Sequence, residues 1–182
     1  MLNIEPNKLR YVLCELNDEN YTSPSFSFHK GYDSAQYKAI ESINESFKID
    51  EGFNLRIETT EPQYEYDKGR KVIRIDGNYE SYEMGISEPT PRFYVTEFFE
   101  IDITKGDYLL IYHHAYDGVD FHIEYQGTYK ECLEERRKQV KQMFDEYDLS
   151  DGDNSDFNSE TDNCIDDGNE WHYWSIVKTQ LD

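Results

Sequence analysis

Two stretches of the sequence bring ligating or charged side chains close together. The first is "YHHAYDGVDFHIEY", Tyr112 to Tyr125. If Asp117-Gly118 forms a two-residue hairpin turn, Tyr116 pairs with Val119, Ala115 with Asp120, His114 with Phe121 and His113 with His122. His113, His122 and Asp120 then share one face, and two imidazoles with a carboxylate are a donor set for a divalent transition metal. The other face (Tyr112, His114, Phe121, Ile123, Tyr125) reads as core. This geometry depends on register, because a slip of one residue sends each side chain to the opposite face. Cross-strand histidines without metal are the plainer expectation, so no cofactor is expected.

The second stretch is "DLSDGDNSDFNSETDNCIDDGNE", Asp148 to Glu170, with nine carboxylates and no Lys or Arg. Read as a calcium loop from Asp151, it offers Asp153 at position 3 and Ser155 at position 5. Position 6 then holds Asp156 in place of Gly, and position 12 holds Asp162 in place of Glu. The sharp turn is lost, and the following "WHYWSIV" reads as a strand rather than a helix. A solvated acidic loop is the expectation.

Catalytic signatures are otherwise missing. No Gly-rich phosphate loop and no G-x-S-x-G occurs, and no cysteine has a histidine near it in sequence. Carboxylate pairs such as Glu97 and Glu100 are expected by chance in so acidic a chain. The reading is a non-enzyme. "HHAYDG", His113 to Gly118, is similar to the His-His-x-x-x-Asp-Gly motif of chloramphenicol acetyltransferases and condensation domains. It is one residue shorter and leads into a strand, so nothing is carried over from them.

The elements that must position these residues are expected as follows. "LRYVLCEL" suits a helix or a strand equally. "NDENYTSPSFSFHKGYD" reads as a loop. A helix capped by Asp33 or Ser34 follows, with Tyr37, Ile40, Ile43 and Phe47 as its apolar face. "FNLRIETT" reads as a strand, and "RKVIRI" and "YESYEMGI" flank Asp76-Gly77-Asn78 as a hairpin. "RFYVTEFFEIDI", "DYLLIYHHAY" and "VDFHIEY" are further strands. Thr128 and Glu131 form a capping box for a second helix. Its apolar face is Tyr129, Leu133, Val140, Phe144 and Tyr147. Arg136, Arg137, Lys138 and Lys141 make it the one dense basic patch, read as a counterweight to the acids. "WHYWSIV" is a strand. The class is α+β, an antiparallel meander of five to seven strands with two or three packed helices, in a single domain over residues 1–182.

Charge dominates the composition: 39 Asp and Glu against 18 Lys and Arg give −21 in 182 residues. Such a chain repels nucleic acid and anionic membranes and suits basic protein surfaces. The 16 Tyr, 10 Phe and 2 Trp oppose a reading as disorder and suit protein interfaces. The odd set Cys14, Cys132 and Cys164 reads as reduced thiols, and the N-terminus lacks a signal-peptide pattern. With no apolar run long enough to span a membrane, a cytoplasmic protein is expected.

DNA carries one negative charge per about 1.7 Å of axis, and a compact acidic domain presents comparable density. Over its whole length the composition resembles that of the DNA-mimic inhibitors of phages and mobile elements, the antirestriction and anti-CRISPR proteins. The resemblance implies a protein of a bacterial host's cytoplasm that binds a basic nuclease, such as a CRISPR RNA-guided DNA nuclease with its guide RNA. It implies no direct binding of nucleic acid. The expected contact residues are Asp151, Asp153, Asp156, Glu160, Asp162, Asp166 and Asp167, with Tyr147 and Phe157 as aromatic anchors. An immunity protein that neutralises a basic nuclease toxin is the alternative. A metal-dependent enzyme built on the histidine hairpin is a further one.

Overall fold

The computed structural model describes residues 8–17, 24–47, 54–58, 70–81, 90–115, 119–147, 162–166 and 171–179. The chain divides into two compact units, Met1–Gln63 with Arg70–Ile101, and Tyr64–Gly69 with Asp102–Asp182. The architecture is α+β. The meander is corrected: the described strands form two sheets, of five and four strands, and neither follows sequence order.

In the first unit, β1 (Leu9–Asn17), β2 (Ser25–His29), β3 (Asn54–Glu58), β4 (Arg70–Ser81) and β5 (Thr90–Asp102) are ordered β2-β1-β5-β4-β3. The ambiguous "LRYVLCEL" is therefore a strand, and a strand also lies inside the expected loop. In "SFSFH" the two phenylalanines alternate with serines, and Phe26 and Phe28 stand opposite Cys14 and Val12. The Asp76-Gly77-Asn78 hairpin is likewise overturned. β4 runs straight through it, Gly77 standing opposite Leu55 on one side and Tyr94 on the other. Pairing along both edges outweighs the local turn preference. Val12, Leu13, Cys14, Phe98 and Phe99 have no exposed surface.

Helix α1 (Tyr32–Phe47) begins one residue before the expected caps. The Gly31 carbonyl accepts from the Ala35 N–H at 3.1 Å, so Gly31 holds the cap position and Asp33 lies in the first turn. Ser34 Oγ instead meets His29 Nδ1 at 3.2 Å. The apolar face is corrected too. Ala35 and Ala39 are fully buried while Tyr37 is 70% exposed. Small residues let α1 approach β1 and β2 closely, which a face led by Tyr37 would not. Of the expected face, Ile43 and Phe47 have side chains outside the described set.

In the second unit, β6 (Tyr108–Ala115), β7 (Val119–Gly127), β8 (Asp162–Asp166) and β9 (Trp171–Lys178) form a fully antiparallel sheet, ordered β7-β6-β9-β8. A 3-10 turn at Ile103–Lys105 leads into it. Gly106 there has φ 149°, and a Cβ would lie 2.3 Å from the Gly127 Cα, so glycine alone fits. Helix α2 (Tyr129–Tyr147) packs on one sheet face. Leu110, Cys132, Ile165, Trp174 and Ile176 form the core there, joined by Tyr129, Leu133, Val140, Met143 and Phe144. Burial pushes the Cys132 thiol up to about 11. None of the described helices is long and apolar enough to cross a membrane.

The capping box of α2 forms as expected. The Thr128 N–H donates to Glu131 Oε2 at 2.8 Å, the Thr128 hydroxyl reaches the same oxygen at 2.7 Å, and the Glu131 N–H donates to Thr128 Oγ1 at 3.3 Å. The backbone N–H and then the side chain of Thr128 hold the Glu131 carboxyl below its ordinary range. A depressed carboxyl contributes stability above its unfolded pKa and loses it as pH falls through the folded value. Thr128→Ala removes the hydroxyl half of the box and should lower stability near neutral pH. Urea unfolding should show its deficit against wild type shrinking as pH drops below the ordinary glutamate range.

Candidate functional site

The register of the β6–β7 hairpin decides the histidine site, and it differs from the expected one by a residue. Ala115 pairs with Val119, His114 with Asp120, His113 with Phe121 and Tyr112 with His122. Three residues, not two, separate the paired ends. His113 is thereby parted from Asp120 and His122, which lie on the opposite face. The trio weighed as a metal donor set is not brought together. Among the described residues no group of three or more His, Cys, Asp or Glu stands in metal-holding geometry.

His113 is fully buried. Its ring stacks on Tyr173 at 4.6 Å, with planes 7° apart, and lies 5.1 Å from Phe121. It behaves as a core aromatic. The core expected on the opposite face splits as well: Phe121 and Ile123 join His113, whereas Tyr112 and His114 face α2. A bulge between Leu110 and Ile111 brings Tyr125 opposite Leu110, onto the α2 face.

The shift assembles a different cluster. Tyr112 has ring contacts with His114, His122, His172 and Trp174, at centroid distances from 5.2 to 6.2 Å. His114 lies between Asp120 on β7 and His172 on β9. Tyr112 Oη and His172 Nδ1 are 2.7 Å apart, and His172 is 3% exposed. The neighbouring Trp174 indole N–H donates to Gln139 Oε1 at 2.9 Å. The Gln139 amide donates in turn to Glu124 at 3.1 Å and Glu135 at 3.2 Å. His172 and Tyr112 were missed as partners because strand order, not spacing, joins β6 to β9. The available signal was alternation in "WHYW", which sets His172 and Trp174 on one face.

The acidic stretch is only partly described. Asp162 and Asp166 are the ends of β8, opposite Ser175 and Trp171 of β9, so this part of the expected loop is a strand. Tyr147 is the last residue of α2. Asp151, Asp153, Asp156, Phe157, Glu160 and Asp167 lie outside the described residues. On α2, Arg136 is buried, whereas Arg137, Lys138 and Lys141 are exposed. Lys138 Nζ pairs with Glu135 at 3.2 Å and Lys130 with Glu134 at 3.7 Å. Pairs so exposed add a few tenths of a kcal/mol at most. The helix thus balances part of its own acid content.

No model of a known protein family, no curated protein and no solved structure matches the chain.

The Tyr112–His172 bond tests whether this cluster holds the sheet. Tyr112→Phe removes the hydroxyl beside a buried imidazole and should cost about 1–2 kcal/mol. His122→Ala, at a half-buried edge position, should cost less. Urea unfolding midpoints of the two variants give the order directly.

Proposed function

We propose that the protein is an inhibitor that binds a nucleic-acid-handling enzyme at a basic surface and blocks DNA binding or cleavage. The target class put forward is a CRISPR RNA-guided DNA nuclease. One observation carries the reading: nine carboxylates without a single Lys or Arg between Asp148 and Glu170, in a chain of net charge −21. A nuclease holds counterions in the groove that receives DNA. A dense carboxylate array releases the same ions and occupies the same groove, so its binding weakens with salt as DNA binding does.

The role proposed is that of a binding protein, not a catalyst. The carboxylates put forward as contacts are Asp151, Asp153, Asp156, Glu160, Asp162, Asp166 and Asp167, with Tyr147 and Phe157 as anchors. Asp162 and Asp166 gain support from β8, which fixes their spacing along an extended backbone. Lys138 and Lys130 are engaged with acids of their own helix.

The test is inhibition of DNA cleavage by a panel of purified nucleases that includes guide-loaded CRISPR effectors. Inhibition relieved by added salt and by competing DNA is the expected result. Retention that resists DNA competition points to an immunity-type inhibitor instead, and no effect on any nuclease removes the class. Replacing Asp148, Asp151, Asp153, Asp156 and Asp167 together by Asn should slow association with an inhibited nuclease about tenfold at low ionic strength. The dissociation rate should change much less. Stopped-flow binding at two salt concentrations reads both.

A further inference from the structure

β8 is hydrogen-bonded to β9 along one side and closes the order β7-β6-β9-β8. No other described strand pairs with it. In an edge strand, alternate residues turn their N–H and C=O groups away from the sheet, and an extended chain can complete the ladder there. The setting of this edge is chemically unusual. Its five residues lie within the 148–170 stretch and its nine carboxylates.

That charge discriminates among occupants. A second copy of the same edge would bring Asp162 and Asp166, and the acidic sequence they belong to, against their own like, so self-pairing is opposed. A neutral strand gains the ladder but no attraction. A strand carrying Lys or Arg gains both: backbone bonds that fix its register and long-range attraction that speeds its capture. The other edge of the sheet is less suited. β7 carries the bulge opposite Leu110 and Ile111, which breaks the even spacing a docking strand needs.

We propose that β8 is a docking edge for an extended, lysine- or arginine-bearing segment of a partner protein, which adds to the sheet as a fifth strand beside Asp162–Asp166. This rests on the inhibitor reading for its partner and specifies how contact with that partner is made. Under it, the carboxylates draw the basic surface in and the β8 backbone sets the register.

The probe is a 12-residue peptide of alternating Lys and Val, compared with the same peptide N-methylated at every peptide nitrogen. The two share charge and composition, but only the first can pair as a strand. Calorimetric titration should show the unmodified peptide binding at least tenfold more tightly. Equal affinity would mean a contact of charge alone and would overturn the proposal, as would failure of both to bind. Asn163→Pro and Cys164→Pro supply a second measurement. Neighbouring N–H groups in a strand point to opposite sides, so one substitution breaks the β9 ladder and the other removes an outward donor. The variant that keeps the wild-type melting temperature should lose the tenfold preference, and its retention would overturn the proposal. Should both variants lose the wild-type melt, the peptide comparison decides. The nuclease panel separates this proposal from the reading beneath it. Peptide discrimination without nuclease inhibition keeps strand addition and removes the nuclease target. Inhibition without discrimination does the reverse.

Discussion

β6 is hydrogen-bonded on both sides, to β7 and to β9, and its register against them decides the surroundings of every aromatic residue nearby. One alternation sends Leu110 and Tyr112 toward α2, and the other sends Leu109, Ile111 and His113 to the second face. That second face is as dry as the first: Leu109, Ile111, His113, Phe121 and Ile123 have no exposed surface. A strand buried on both faces tolerates no slip, because a shift of one residue exchanges two complete sets of core side chains. The bulge at Leu110 and Ile111 helps to pin that register.

The same constraint divides the chain's polar chemistry. Imidazoles that the sheet turns toward α2 meet the ring and hydroxyl of Tyr112 and the Trp174 indole. An imidazole turned the other way is stacked among aromatic rings as a hydrophobic member. Histidine is suited to both environments, since its neutral ring is flat and still offers a donor and an acceptor. Acidic charge, by contrast, concentrates in the segment between α2 and β9. The proposed partner contact and the histidine cluster thus draw on different parts of the sequence.

Much of this was legible before the structure. The capping box at Thr128 and Glu131 is a local signal, and its geometry follows. β6, β7 and β9 are long alternating runs that need no partner to be recognised. What failed were inferences that depend on partners distant in sequence. Asp76-Gly77-Asn78 is a good turn in isolation and a strand interior when β3 and β5 flank it. Ser25–His29 looks like a loop by composition, yet Phe26 and Phe28 alternate correctly for β1. On α1 Tyr37 stands away from the buried face, which close packing gives to Ala35 and Ala39. The histidine trio failed for the smallest reason, one additional residue in a loop.

The strand order also has a temporal side. β9 is the last strand in the sequence, yet it lies between β6 and β8 and supplies the only described link between them. Tyr112 and His172, which meet across that ladder, are 60 residues apart. Contacts of such long range are slow to form, because the intervening chain must be ordered before the ladder stabilises it. As the chain leaves the ribosome, β6 and β7 emerge early as a hairpin, and β8 emerges before any strand it can pair with. Until Trp171–Lys178 arrives, β6 has an open, apolar flank that other nascent chains can reach.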